Sequence, residues 1–380
     1  MQDKKSVKIL VLSNKRRFKF SSRYDEKKIK DYLLEAQIIY KTIIDLPILP
    51  GRAAKLEDEL IRRSIFGTAA IEGNPLTEKQ VEELVEDSHE INPVQRAEQE
   101  ILNLKKTYGL LDRMVSGAEG NLVSESDFID LHRSITGEID YDGNTPGKYR
   151  NHQVKVGDSV HGGIYTPPSI AADIILLMKE MVDWLNSKSI LELDPIIRAA
   201  LAHFHFSFIH PFGDGNGRVA RTFEAYLLRL SKIKYVPVML SNYYYKNIDE
   251  YYWAFSRTIK AKDSDMTVFL EFVLKGFVES LHDIKGRITF FIRKFALKDA
   301  YSFLKEKKSI NKRQFELLNI LLNNDVAFTL KDLAVMTPFH LLYQGVSERT
   351  IKRDIQSLAN LLLIKETSKK KYKINMNFLG

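Results

Sequence analysis

The chain of 380 residues contains no cysteine. Disulfides, thiolate nucleophiles and cysteine-ligated zinc are therefore excluded. No apolar run reaches the ~18 residues that suggest a membrane-spanning helix, so no membrane association is expected. Near the start, Ile9-Leu10-Val11-Leu12 is shorter than the ~7–15-residue core of a signal peptide, and basic residues soon follow. The expected location is the cytoplasm. Net negative charge is also lacking: 57 Lys/Arg stand against 49 Asp/Glu, a net charge of +8. Residues 301–380 hold fourteen Lys/Arg and seven Asp/Glu, so seven of the eight excess charges sit there. Such asymmetry implies a separate basic module with an anionic partner, or merely a solvated basic face. With 44% hydrophobic and 28% charged residues, the chain reads as globular and long enough for two or three domains.

What is present is mainly helical periodicity. Residues 1–50 are mixed, basic and aromatic, and Pro50-Gly51 marks a turn. From Ala53 to about Ile71 the pattern is helical, and Gly73 is placed to stop it. Thr77 with Gln80 forms a capping box for the next helix, and helical spacing continues through 94–116 and 125–135. Glycines and prolines crowd into 140–168 around the alternating run Gln153-Val154-Lys155-Val156, which predicts a hairpin or flap. Asp142 and Asp158 read as turn residues. After a helix at 169–187, Asp194-Pro195 opens one that is apolar nearly all round and therefore buried. Beyond residue 312 come three short helical patterns. Thr329 with Asp332 and Ser347 supply the caps. Arg349, Lys352 and Arg353 lie on the outer face of the third, before the basic run Lys369-Lys370-Lys371. That layout predicts a winged helix-turn-helix.

The buried helix runs into His210-Pro211-Phe212-Gly213-Asp214-Gly215-Asn216-Gly217-Arg218-Val219-Ala220-Arg221. Gly213, Gly215 and Gly217 permit positive φ and close backbone approach, and their N–H groups can form an anion-binding nest. A helix predicted from Val219 to Leu230 adds its N-terminal dipole. Arg218 and Arg221 share a face of that helix and suit the β- and γ-phosphates of a polyphosphate. Asp214 inside a phosphate loop calls for a cation between them, which argues for Mg²⁺. His210 titrates near neutrality and can serve as general base. Asn216 can donate its amide to the phosphate under attack. His203 and His205 project about 200° apart on a helix and make a poor metal pair with His210. Packing and hydrogen bonding are expected of them.

The full string resembles the signature of the Fic (filamentation induced by cAMP) family, HPFx(D/E)GNGRxxR, at every defined position. Gly147-Lys148-Tyr149-Arg150 and Tyr165-Thr166-Pro167-Pro168 resemble the edges of the family's flap. Leu240-Ser241 and Tyr251-Tyr252 resemble the segment that shapes its adenine pocket. Thr68-Ala69-Ala70-Ile71-Glu72-Gly73-Asn74 resembles the family's inhibitory pattern (S/T)xxxE(G/N), in the N-terminal position of the class II arrangement. The resemblance covers about residues 30–275.

It implies a mostly α fold: a Fic-type helical bundle core with a β-hairpin flap, followed by a small winged-helix α+β domain. The expected domains are an N-terminal helical region with the inhibitory helix (1–92), a catalytic core (93–290) and a winged helix-turn-helix (291–380). The implied reaction is transfer of AMP from ATP to a Ser, Thr or Tyr hydroxyl of a target protein or of the chain itself. In it His210 takes the hydroxyl proton and Asp214 holds Mg²⁺. Asn216, with the N–H groups of Gly213, Gly215 and Gly217, binds the α-phosphate. Arg218 and Arg221 contact the β- and γ-phosphates, and Tyr251 and Tyr252 the adenine. The flap, about 154–164, pairs with the target as an added strand, and Glu72 withholds Arg221 from the γ-phosphate. Other expected partners are a second copy of the chain and DNA through residues 345–375. Two alternatives stay open: a DNA-binding regulator with a secondary Fic domain, and removal of AMP or transfer of another phosphate-linked group.

Overall fold

The computed structural model describes residues 7–86, 95–140, 143–324, 326–367 and 370–379. The expected 92/93 boundary, Asp142 and Lys369 lie outside them. The chain divides into two compact units, Met1–Asp45 with Leu49–Ile284, and Leu46–Ile48 with Lys285–Gly380. It is mostly α-helical, as expected. No helix among the described residues is long and apolar enough to cross a membrane.

The first unit opens with an antiparallel hairpin, β1 (Val7–Val11) and β2 (Arg17–Ser21), in which Val7 faces Ser21 and Val11 faces Arg17. Phe18 and Phe20 alternate inward with the strand period. Helices α1 (Glu26–Asp45), α2 (Pro50–Ile71), α3 (Glu78–Glu86), α4 (Arg96–Gly117) and α5 (Glu125–Thr136) follow. The hairpin was not expected, and α1 was not placed within the expected N-terminal helical region. Nor is Pro50-Gly51 a turn: α2 begins at Pro50, whose missing N–H costs nothing in a first helical turn. Thr77 and Gln80 exchange the capping-box bonds as expected.

After the flap come α6 (Ala171–Leu185), α7 (Lys188–Leu191), α8 (Pro195–Ile209), α9 (Asn216–Leu230), α10 (Leu240–Lys246) and α11 (Ile248–Ile259). Asp194 caps α8 through the Ile196 N–H. Helices α8 and α9 pack on each other at the centre, with α5 and α4 against α9 and α10 against α2. Twelve of the fifteen α8 residues and thirteen of the fifteen in α9 are buried, so the segment joining them is set in the core.

Helix α12 (Thr267–Glu306) spans the boundary between the units. The second unit continues with α13 (Lys312–Asn324), α14 (Leu330–Val335), α15 (Phe339–Tyr343) and α16 (Glu348–Asn360), then β3 (Ile364–Glu366) and β4 (Tyr372–Ile374). Its core includes Leu318, Phe328, Leu333, Ile351, Ile355 and Ile374. Thr329 and Ser347 cap α14 and α16, and Ile364 pairs with Ile374 across the hairpin.

Candidate active site

Helix α8 ends where Pro211 disfavours helix in the residue before it. His210 takes the left-handed conformation there, at φ 52° and ψ 60°. Phe212 is fully buried and ties the following loop to the core. The Asn216 side chain then braces the loop. Its Oδ1 accepts from the Phe212 N–H and its Nδ2 donates to the Phe212 carbonyl, both at 2.9 Å. Asn216 thus holds the loop together and is only 2% exposed.

Of the three glycines only Gly215 has positive φ, 77°, and it caps α9. Helix α9 therefore starts at Asn216, three residues earlier than expected. Gly217 lies in its first turn against the Glu72 carboxylate: a Cβ there would lie 2.1 Å from Glu72 Oε1, so that carboxylate would have to move. Gly213 lies against the chain at residue 143, where a Cβ would meet the Gly143 carbonyl at 2.4 Å.

The two arginines face different partners. Arg221 is buried. Its Nε donates to Thr68 Oγ1 at 2.7 Å, and its Nη2 to the Thr68 carbonyl at 3.0 Å and Glu72 Oε1 at 2.7 Å. Burial opposes ionisation of the Glu72 carboxyl, but Arg221 and Arg218 outweigh it and hold the carboxyl below its usual range. Glu72 lines the cleft and keeps solvent access. Arg218 pairs with Asp214 Oδ1 at 3.2 Å and with Glu100 Oε1 at 3.6 Å.

Asp214 Oδ1 also accepts from the Gly215 N–H at 2.5 Å, and Oδ2 lies 3.7 Å from Arg96. Among the described residues no group of three or more His, Asp or Glu is placed to hold a metal ion. Asp214 alone suits only a cation whose other ligands are phosphate oxygens and water, which is how Mg²⁺ is commonly bound.

A cavity of about 520 Å³ brings His210, Gly217, Arg221, Glu72 and Tyr252 together with the flap. His210 Nδ1 lies 3.3 Å from the Ser207 carbonyl, which can only accept. Nδ1 therefore carries the proton and Nε2 the free lone pair. Burial pushes the imidazole down to about 4, so it is neutral at pH 7.

The flap closes through one bridge pair, Val156 with Tyr165. His161 sits between Asp158 and Asp249, with ring nitrogens 2.9 and 3.0 Å from their carboxylates. Lys260 donates to the Gly162 carbonyl at 2.5 Å. Asp158 also accepts from the Val160 and His161 N–H groups, as a turn residue does.

Tyr252 lines the cavity and its hydroxyl reaches the Ile71 carbonyl at 3.4 Å. Tyr251 lines the same cavity from a more buried position. It is 3% exposed, its ring stacks on Tyr244, and its hydroxyl meets His203 Nε2 at 2.8 Å. Aromatic packing makes it part of the core beneath Arg221. His203 continues to buried Glu224 at 3.1 Å, and His205 binds the Ser21 backbone.

Arg150 was quoted in the sequence only as a flap edge. Its guanidinium donates to the carbonyls of His210, His152 and Pro168, and so joins the flap to the motif. Its place just after a Gly-Lys-Tyr turn was the only signal.

Residues 122–228 match the Fic/DOC family. Protein adenylyltransferase fic-1 of Caenorhabditis briggsae is 35% identical over 159 residues, 41% of this chain and 29% of that protein. Protein adenylyltransferase Fic of Aedes aegypti is 30% identical over 227 residues, 58% of this chain and 40% of that protein. The chain thus spans less than half the length of these curated relatives. A solved Fic family protein from Desulfovibrio desulfuricans shares the fold, with a TM-score of 0.56 over 92% of this chain and 96% of that one, at 20% identity. Fic-1 of Caenorhabditis elegans gives a TM-score of 0.54 at 25% identity, covering 68% of this chain and 72% of that one.

Proposed function

We propose that the chain, whose residues 122–228 match the Fic/DOC family, is a protein adenylyltransferase held in check by Glu72. It would move AMP from ATP to a Ser, Thr or Tyr hydroxyl of a target protein or of itself. The observation that supports this reading is one cavity lined by His210, Gly217, Arg221 and Glu72, with the Glu72 carboxylate hydrogen-bonded to Arg221.

In the reaction the hydroxyl oxygen attacks the α-phosphorus and its proton passes to His210 Nε2. The new O–P bond forms as the bond to the β-phosphate bridging oxygen breaks, and pyrophosphate leaves. The loop N–H groups and the start of α9 favour the phosphate charge. Asp214 would hold Mg²⁺ against the phosphates, and that ion would neutralise developing charge when bound. Arg221 would clasp the γ-phosphate only once Glu72 leaves it. Until then the α-phosphorus is misaligned, and misplacement by 1 Å can cost about 10²-fold in rate. The flap would pair with an extended target segment. Intact-mass spectrometry of the purified chain and of proteins incubated with it and ATP tests the reading. An AMP adduct supports it, and its absence even when Glu72 is replaced by Gly removes it.

The second unit favours an additional reading as a winged helix-turn-helix that binds duplex DNA through residues 345–375. Arg349, Lys352, Arg353, Gln356 and Asn360 all lie exposed on α16, and Lys370 and Lys371 are exposed before β4. Arginine, glutamine and asparagine are the side chains that read base edges, and lysines meet phosphates. Retention of the full chain on duplex DNA should fall steeply with salt. No salt-sensitive retention removes this reading.

A further inference from the structure

The loop that carries Asp214 is gripped by a histidine that the proposed transfer does not use. His132, on α5, is fully buried. Its ring stacks on Phe212 with centroids 3.6 Å apart and planes 1° from parallel. Its Nδ1 lies 2.9 Å from the backbone nitrogen of Gly147, and its Nε2 lies 3.1 Å from the carbonyl oxygen of Asp214. The Gly147 N–H can only donate and the Asp214 carbonyl can only accept. The ring is therefore neutral, with its proton on Nε2. One turn further along α5, Thr136 shapes the same loop: a Cβ on Gly215 would meet its Cγ2 at 2.9 Å.

The Asp214 carbonyl and the Gly215 N–H belong to one planar peptide unit. Fixing the carbonyl on His132 turns that N–H to the opposite side, where it donates to Asp214 Oδ1. We propose that His132 is a positioning residue for the nucleotide loop: by holding this one peptide it aims the Asp214 carboxylate and couples the loop to the flap entrance at Gly147. The proposal rests on the nucleotide reading above. It makes the histidine specific, because the site needs an acceptor and a donor on opposite sides of one flat, stacked ring. A hydrophobic residue of similar volume would fill the space and hold neither backbone group.

The test uses the full chain carrying Glu72→Gly as parent, with His132→Asn and His132→Gln added singly. Asparagine can replace Nδ1 but does not reach Asp214, whereas glutamine carries an N–H donor to the place of Nε2. Calorimetric titration with ATP, with and without Mg²⁺, should show up to about tenfold weaker Mg²⁺-dependent binding for His132→Asn, the worth of one hydrogen bond. Adenylyl transfer should fall further, by about 10²-fold, mainly in kcat. His132→Gln should recover most of both losses. Independently of any variant, a long-range proton–nitrogen NMR spectrum of the parent should show His132 protonated on Nε2 and bare on Nδ1. A proton on Nδ1 overturns the proposal. So do variants that match the parent in binding and rate, or variants equally impaired in step with their melting temperatures. If the parent itself binds no nucleotide, the adenylyl-transfer reading falls as well. If it binds and the variants equal it, only the role of His132 falls.

Discussion

Nη2 of Arg221 lies 2.7 Å from Oε1 of Glu72, closing the end of α2 onto the second turn of α9. A carboxylate at a helix C-terminus is opposed by the helix dipole, at a cost of about 0.3–1 kcal/mol. Glu72 occupies that position, and the attraction of Arg221 offsets the cost. Arg221, in contrast, is held twice, by Thr68 as well as by Glu72. The contact is thus asymmetric: the acid can leave while the guanidinium stays placed for a phosphate.

Thr68 should therefore matter most when Glu72 is absent. In a Glu72→Gly background, Thr68→Val removes the hydroxyl that accepts from Arg221 Nε. A buried charged donor left without its partner costs about 1–3 kcal/mol. The expected outcome is a rise of roughly five- to a hundredfold in KM for ATP, by the same energy scale. Steady-state kinetics check it, and an unchanged KM contradicts the double hold.

The base should stay competent well into the acid range. Burial holds His210 at about 4, so its lone pair is available above that value and lost as pH falls through it. For the Glu72→Gly protein, kcat/KM should be flat from about pH 8 to pH 5.5 with respect to this group, whose unperturbed value is about 6.5. An acid limb centred at or above the unperturbed value contradicts the assignment.

The flap should loosen in alkali. The Asp158 hydrogen bond, and then Asp249, raise the His161 pKa. A raised value means that the clamp is complete below the unfolded value near 6.5 and is lost as pH rises through the folded one. Limited proteolysis within residues 157–164 should accelerate as pH rises from about 6 to 9, across that window. His161→Phe should cleave quickly at every pH; an equal pH dependence in both proteins sinks the clamp.

Much of this was legible because local chemistry leaves marks at fixed spacing. The caps at Thr77, Asp194, Thr329 and Ser347 announce their helices, and the His210–Arg221 string announces a phosphate loop. The N-terminal hairpin and α1 escaped for a physical reason. Leu34, Ile38 and Ile44 are exposed while Ile29, Ala36, Ile39 and Ile43 are buried, so no single apolar stripe stands out. The bracing by Asn216 was not legible, because spacing cannot show that a side chain bonds back to its own loop. Nothing in the sequence distinguishes His132 from an ordinary core histidine, since its partners are backbone groups 15 and 82 residues away. The pairing of Glu72 with Arg221 was visible only through family resemblance.

Glu72 is proposed to restrain an adenylyl-transfer site. Incubation of wild-type and Glu72→Gly proteins with ATP labelled in its α-phosphate tests it most directly. Label transferred to protein should rise by about 10²-fold in the variant, the scale of a corrected misalignment. It should vanish again in Glu72→Gly combined with His210→Ala. Equal labelling of wild type and Glu72→Gly would show that Glu72 exerts no restraint.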